Sequence, residues 1–280
     1  MKSKGIAVPY VIWMAIFVVA PLLIIVFYAF TSQSGGFTLE NFSTMAQYTG
    51  VFGRSFLLAI IATFICLLIG YPLSYWLAQE SPAVRRVAMM LIMLPMWMNF
   101  LLRTYAWMSI LDDNGLINQV LSSIGFFDLW NAIFGTNLQY FHMINTQGAI
   151  VLGMVYNFLP FMVLPIYNVL AKIDDSVINA AQDLGANTFQ TFIKIWLPLS
   201  LPGVISGITM VFVPSLTTFV ISDLLGGSKI LLIGNVIEQE FTRGSNWSQG
   251  SGLSLVLMIF ILISMAMIAK YDKNGEGSAF

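Results

Sequence analysis

Few side chains in this sequence could make or break bonds. The single cysteine, Cys66, and the single histidine, His142, leave no His/Cys cluster with the spacing of a zinc or iron site. No nucleophile–base pair or acidic dyad falls within an apolar segment. The phosphate-binding pattern G-x-x-x-x-G-K-[ST] is absent, and its nearest approach is the pair Gly226 and Gly227. The sequence therefore predicts no metal site, no cofactor and no ATP site in this chain, and it argues against a membrane enzyme.

The segments that must position any function are strongly apolar. The 280 residues are 58% hydrophobic and 9% charged, with a net charge of −1, whereas about 25% of a soluble domain is charged. This balance leaves no basic surface for nucleic acid. Continuous apolar blocks of about 20 residues are typical of membrane-spanning helices and not of barrel strands. Six such blocks cover residues 6–30, 56–78, 87–111, 148–171, 203–221 and 252–269. We expect an all-α integral membrane protein with six transmembrane helices in a single domain, residues 1–280.

The positions of Lys and Arg predict the orientation in the membrane, because cytoplasmic loops retain these residues. If both termini are inside, the inner side holds eight of them: Lys2, Lys4, Arg85, Arg86, Lys172, Lys194, Lys270 and Lys273. The outer side then holds four: Arg54, Arg103, Lys229 and Arg243. We therefore expect both termini to be cytoplasmic (N-in/C-in). This topology gives long outer loops and one long inner loop, residues 172–201.

The inner loop carries the most informative pattern in the chain. Asp174, Asp175 and Ser176 are good residues for starting a helix, and Gly185 is a good residue for ending one. Between them the alanines favour a helix of two to three turns at the membrane surface. Small residues on this helix would let the backbone of a partner approach closely.

The inner loop resembles a known signature. Its residues Asn179-Ala180-Ala181-x-x-x-Gly185-Ala186, with Leu197-Pro198 downstream, are similar to the EAA loop of ABC-importer permeases of type I. In that family the loop forms a short cytoplasmic coupling helix that sits in a groove of the ATPase subunit. The first motif position, usually Glu, is Asn179 here. The resemblance implies that the residues contacting the ATPase are Asn179, Ala180, Ala181, Asp183, Leu184, Gly185 and Ala186.

Further segments narrow the resemblance to the spermidine/putrescine permeases of the PotB type. The matching stretches are 102–107 (Leu-Arg-Thr-Tyr-Ala-Trp), 114–118 (Asn-Gly-Leu-Ile-Asn), 222–229 (Ser-Asp-Leu-Leu-Gly-Gly-Ser-Lys) and 232–235 (Leu-Ile-Gly-Asn). The resemblance implies a permease subunit of a bacterial inner-membrane importer. The implied partners are a PotC-type sister permease, two PotA-type ATPase subunits that bind ATP and Mg²⁺, and an external PotD-type polyamine-binding protein.

A polyamine path should offer acids and aromatic faces, because a cation over an aromatic ring gains about 0.5–2 kcal/mol. The third apolar block and the outer loops supply candidates for this path: Trp97, Asn99, Tyr105, Trp107, Asp223 and Glu238. For Trp107 the alternative is an interfacial belt residue. For Asp223 the alternative is a helix-capping role or a pair with Lys229.

Three other features carry expectations about the outer side. We expect Arg103 to be structural, either snorkelling to the interface or pairing with Asp112, Asp113 or an acid elsewhere. We expect His142 to be a surface residue. Residues 230–241 predict a short amphipathic helix at the mouth of the path, with Asn235, Glu238 and Gln239 on its polar side.

Two alternative functions remain open from sequence. One is an ABC permease for another small solute, of the thiamine, iron or phosphonate class. The other is a secondary carrier or channel that works without an ATPase, because the membrane potential alone favours cation entry by about 2.3 kcal/mol per charge per 100 mV.

Overall fold

The computed structural model describes residues 8–32, 35–227, 229–244 and 246–271, apart from the side chains of residues 44 and 267–271. Within these ranges the chain is built from helices. Lys2, Lys4, Lys273 and Ser228 lie outside the described residues, as does the side chain of Lys270.

The helices follow one another with short connections. In chain order they are α1 (Val8–Ala29), α2 (Thr49–Gln79), α3 (Pro82–Trp97), α4 (Phe100–Leu111), α5 (Leu116–Ser123), α6 (Phe126–Phe134), α7 (Gln147–Leu170), α8 (Asp175–Asp183), α9 (Thr188–Thr217), α10 (Val220–Leu225), α11 (Ile233–Thr242) and α12 (Trp247–Tyr271). Helical turns over Glu40–Ser43 and Thr44–Tyr48 lead into α2. The order is that of a helical membrane bundle with short helices between the long ones.

Five described helical segments are long and apolar enough to cross a membrane. They are Val8–Ala29, Glu40–Gln79, Gln147–Leu170, Thr188–Thr217 and Trp247–Ala266. The predicted blocks 6–30, 56–78, 148–171 and 252–269 are therefore confirmed as long apolar helices. Pro82–Trp97 (α3) and Phe100–Ser123 (α4 with α5) pass the same test only as a pair, which makes a sixth, broken span.

The predicted third span, 87–111, is wrong as a single helix. The chain bends by 93° between α3 and α4. Pro95 lies just before the break, and Met98 and Asn99 both have extended backbone, with ψ of 148° and 130°. The side-chain oxygen of Asn99 accepts hydrogen bonds from the N–H groups of Leu101 (2.8 Å) and Leu102 (3.4 Å). The amide therefore starts a new helix inside an apolar stretch.

The predicted fifth span, 203–221, is displaced toward the N-terminus. The helix begins at Thr188 because Asn187 and Gln190 form a capping box, with bonds of 2.8 and 3.0 Å between each side chain and the other's backbone N–H. A π-helical turn over Phe192–Trp196 carries the helix past Pro198. The helix ends at Thr217, and Thr218 is extended. Residues 220–225 form the separate helix α10.

The core lies where α2, α7 and α9 pack together. Polar bonds also join these helices: Ser74 Oγ donates to Val163 O (3.1 Å), and the hydroxyls of Tyr71 and Ser200 lie 2.9 Å apart. Helix α1 stands outside this core, with most of its large apolar side chains exposed, and packs against α12.

Close approach of α9 to α7 requires glycine. A Cβ on Gly203 would lie 2.8 Å from Pro165 O and 3.0 Å from Ile166 Cα, both of which are backbone atoms.

We expect Gly203→Ala to push the two helices apart and to lower the stability by about 1–3 kcal/mol, measured as a lower Tm of the purified protein in detergent. Gly53→Ala is the control, because nothing lies within 4 Å of its Cβ position in α2. Equal Tm values for the two variants would contradict the close packing.

Candidate functional site

The predicted inner helix is confirmed as α8, and its start is well capped. Asp174 is the N-cap, and its carboxylate accepts a hydrogen bond from the N–H of Ser176 at 2.9 Å. The bonds from the Ser176 backbone and side chain hold the pKa of Asp174 below its usual value. Asp175 in the first turn also suits the positive end of the helix dipole. These capping interactions stabilise the short helix, although none of its residues is buried.

The small residues of the motif form the end of α8. The N–H of Ala186 donates to Ala181 O (3.0 Å) and that of Gly185 donates to Gln182 O (2.8 Å), with Gly185 at a φ of 86°. This pattern is a Schellman motif, in which glycine takes the left-handed position and two small side chains meet across the last turn. The predicted C-cap role of Gly185 is confirmed.

Val177 on α8 is 44% exposed, and two more strongly exposed apolar side chains lie at the end of the helix and beyond it. Leu184, the C-cap of α8, is 89% exposed, and Phe189 on the next turn of chain is 70% exposed. Ile178, by contrast, points back and packs against the core. Sequence reasoning singled out Leu184 but missed Phe189, whose available signal was an aromatic ring two residues after the cap Asn187 in a polar loop. We call Leu184 and Phe189 with the exposed side of α8 the inner docking surface.

The inner docking surface leads directly into α9. Asn187 starts α9 two residues after Gly185, and the helix then continues to Thr217. Edge-on aromatic contacts fix its first turns. The ring centroid of Phe192 lies 5.1 Å from that of Tyr75, and the ring centroid of Trp196 lies 5.3 Å from the same Tyr75 ring. A displacement of α8 would therefore move a helix that packs along both α2 and α7.

The aromatic path candidates lie on either side of the bend between α3 and α4. Trp97 is 75% exposed at the end of α3, and Tyr105 is 47% exposed on α4. Trp107 is half-buried against the core, with its ring 5.3 Å from Tyr156 and edge-on to it. The exposed Asn99 uses its side-chain oxygen to cap α4. The bend thus presents two exposed rings, while Trp107 is part of the packing.

The two acidic candidates occupy different places. Asp223 is exposed on α10, and α10 packs against both α4 and α7. Glu238 on α11 lines an apolar cavity of about 500 Å³ whose walls come from α1, α9, α11 and α12. Its Oε1 accepts a hydrogen bond from the Thr242 hydroxyl at 2.9 Å. The structure therefore places Asp223 on a helix that packs against α4, which carries Tyr105 and Trp107. Glu238 lies in a cavity wall shared with α12.

The predicted helix at 230–241 is present but starts at Ile233, and one residue of its predicted polar side is buried. Asn235 is 2% exposed. Its oxygen accepts bonds from Ser222 Oγ (2.5 Å) and Leu232 N–H (3.0 Å), and its amide donates to Phe219 O (2.9 Å). Placing Asn235 on the wet face was wrong, because its amide satisfies the backbone of the turn between α10 and α11.

The outer loop is ordered by Asn118, which sequence reasoning did not single out as a site. It is 4% exposed, and its amide donates to the carbonyls of Asp112, Asp113 and Phe141, while its oxygen accepts from Phe141 N–H. His142 is exposed, as predicted, and its Nδ1 lies 2.8 Å from Asp113. These contacts hold residues 112–142 as one unit.

The predicted pairing of Arg103 with Asp112 or Asp113 is wrong. Asp113 is bonded to His142, and Asp112 accepts a bond from Asn114 N–H at 3.0 Å. Arg103 itself is only 8% exposed, so it does not snorkel to solvent on its own chain.

A family model described as a binding-protein-dependent transport system inner membrane component matches residues 70–271. The matched region includes the broken span, α8 with its Schellman motif, and the whole of α9. The chain belongs to this family. It is accordingly a multi-pass, inner-membrane component of a transport system.

Relatives of known name match nearly the whole chain. The spermidine/putrescine transport system permease protein PotB of Haemophilus influenzae is 37% identical over 94% of this chain and 90% of its own length. PotB of Escherichia coli K12 is 37% identical over 88% of this chain and 89% of its own. A PotB homolog of Mycoplasma genitalium is 29% identical over 88% of this chain and 81% of its own.

Solved structures show the same fold. A bacterial ABC transporter involved in the import of the acidic polysaccharide alginate has a chain that superposes with a TM-score of 0.75, covering 97% of this chain and 95% of that one, at 17% identity. A bacterial alginate ABC transporter in complex with its alginate pentasaccharide-bound periplasmic protein gives a TM-score of 0.68, with 94% and 91% coverage, at 15% identity. The permease fold of ABC importers is thereby established for this chain.

Proposed function

We propose that this permease is the membrane-spanning subunit of an ATP-driven importer of polyamines, taking spermidine or putrescine from an external binding protein. The observation that carries the proposal is the 37% identity to two proteins named PotB, which extends over 88–94% of the chain. The exposed aromatic rings and the acid near the bend of α3 and α4 add support, because they suit a flexible cation.

The proposed assembly contains four kinds of subunit. This chain pairs with a PotC-type sister permease, two PotA-type ATPases bind ATP and Mg²⁺, and a PotD-type protein delivers the polyamine. Both termini are cytoplasmic in this arrangement, which puts α8 on the same side as the ATPases. The excess of Lys and Arg on that side supports the orientation.

Coupling to the ATPase runs through the inner docking surface. Leu184, at 89% exposed, is the apolar side chain that a groove in the ATPase would bury. The small residues Ala181, Gly185 and Ala186 keep the last turn of α8 narrow, so that the groove can close around it. Asn179, Ala180 and Asp183 are exposed on the same short helix and complete the contact.

The polyamine passes the bend between α3 and α4. Trp97 and Tyr105 offer exposed ring faces for its ammonium groups, and Trp107 fixes the angle of α4 through its contact with Tyr156. Asn99 stabilises the bend, because its side chain caps the start of α4. Asp223 supplies a negative charge on α10, beside α4. Glu238, on α11, contacts the polyamine at a different point of the path, separate from the bend.

Identity of the transported solute is tested in cells. In a bacterial strain without polyamine uptake of its own, expression of this chain with its partner subunits should restore uptake of labelled spermidine or putrescine. An excess of unlabelled polyamine should compete, whereas thiamine, ferric iron or a phosphonate should not. Uptake of one of those solutes in place of a polyamine would assign the chain to another class of ABC importer.

Leu184→Asp tests coupling. The variant should lower polyamine uptake at least tenfold and remove the stimulation of ATP hydrolysis by the loaded binding protein, because a carboxylate cannot enter an apolar groove. Stability should change by no more than about 0.5 kcal/mol, since Leu184 makes little contact with its own chain. Gln119→Glu, which places the same charge at an exposed position of α5 outside the inner docking surface, should retain transport. Parental uptake in Leu184→Asp would remove the docking role.

Asp223→Asn tests the acidic contact. Losing a charged partner of an ammonium should reduce the apparent affinity for polyamine by about tenfold, because bonds to charged groups contribute about 1.5–3 kcal/mol. Assembly should be normal, as judged by co-purification of the sister permease and the ATPases. Asp128→Asn, which removes an exposed acid from α6, is the matched control and should be neutral. If assembly instead fails, and Lys229→Gln repairs it, the carboxylate is structural.

A further inference from the structure

Arg103 is a buried cation without a partner in the described part of its own chain. It lies in the first turn of α4 and is 8% exposed. Its Nε and Nη1 are buried and make no hydrogen bond to any described residue. The nearest recorded group is the ring of Phe100 on the same helix, whose centroid is 5.9 Å from the guanidinium carbon. The face of the ring attracts the positive charge, but it accepts no hydrogen bond from these in-plane N–H groups.

Two other charged residues, Arg85 and Asp113, find partners nearby. Arg85 Nη2 donates to the carbonyls of Ala78 (3.0 Å) and Glu80 (3.2 Å) at the end of α2, although its Nε is also unpartnered. Asp113 is bonded to His142. Among the described residues, no carboxylate forms an ion pair with Arg103.

A buried guanidinium cannot escape its cost by losing a proton, because arginine stays protonated in proteins. Burying a charge without hydrogen bonds is strongly unfavourable, and removing one member of a buried ion pair is among the most destabilising changes known. The five N–H donors of arginine lie in one plane and match a carboxylate, which can accept two of them in parallel. The group that Arg103 lacks is therefore an acid.

The surface around Arg103 indicates where that acid comes from. Its neighbours Leu101 and Leu102 are 46% and 66% exposed, so an apolar face of α4 lies open beside the guanidinium. No other charged residue occurs between Phe100 and Leu111. A second helix laid on this face would bring a side chain to Arg103 at the same depth in the bundle. The transported polyamine carries only positive charge and cannot fill this role.

We propose that Arg103 forms an intersubunit ion pair with an Asp or Glu carboxylate of the sister membrane subunit, which covers the face made by Leu101 and Leu102. The inference rests on the proposed function in one respect, the presence of a sister permease. Arg103 then joins the two membrane subunits beside the bend at Asn99, and it does not contact the solute.

The test uses the complete transporter purified in detergent. Arg103→Met removes the charge and keeps a flexible, unbranched side chain, and it should lower the amount of sister permease retained on this chain at least tenfold after prolonged dilution. Arg85→Met is the matched control, because the Nη2 bonds of Arg85 are made within its own chain; it should retain the sister subunit at the parental level. Parental retention in Arg103→Met would overturn the proposal.

A charge exchange excludes a folding defect as the explanation. Each Asp and Glu in the membrane segments of the sister subunit is changed to Asn or Gln, and one of them should reproduce the loss. Arg103→Glu combined with Arg at that position should restore retention, while either change alone does not. If no acid of the sister restores it, or if retention follows the anionic-lipid content of the micelle, Arg103 binds a lipid phosphate and the proposal is wrong. A parent complex that assembles but imports no polyamine would overturn the proposed function and leave the ion pair intact.

Discussion

Helix ends inside an apolar bundle must find their hydrogen-bond partners within the protein, because lipid offers none. Three amide side chains cap helix ends at the places where the helices break, two of them in apolar segments and the third, Asn187, in the inner loop. Asn99 caps α4 at the 93° bend, Asn187 starts α9 through a capping box, and Asn235 satisfies the turn between α10 and α11. Without them these segments would straighten or would leave buried backbone groups unpaired. The positions of the exposed rings, of α8 and of α10 all depend on these caps.

The capping box at Asn187 has the widest mechanical consequence. It lets α9 begin at Thr188, five residues after α8 ends at Asp183, so the exposed Leu184 is joined by a short connection to a helix that reaches Thr217. Gly203 lets this helix approach α7 closely enough for backbone contact. Packed cores deform as units and not continuously. In the proposed coupling, a push on α8 would be transmitted along α9 to α10 and its Asp223, on the opposite end of the bundle from the docking surface.

Much of the fold was predictable from sequence, and the failures share one cause. Hydropathy located the blocks at 6–30, 56–78, 148–171 and 252–269, because continuous apolar runs average over many side chains. It could not locate the break at Asn99 or the start at Thr188, since each depends on a single capping residue that barely changes the average. Asn235 was misplaced because helical periodicity does not show a bond to a carbonyl 16 residues away. For α8, by contrast, the residues that start and end the helix lie within it or next to it. The sequence therefore showed both the capping residues at its start and Gly185 at its end.

The central claim is that this permease moves polyamine only when an ATPase drives it through α8. The most direct measurement is uptake of labelled spermidine into proteoliposomes that contain the complete complex, with the binding protein outside and ATP inside. The account predicts uptake that requires both ATP hydrolysis and the binding protein. Uptake driven by a membrane potential in liposomes that contain this chain alone, without any ATPase, would contradict it.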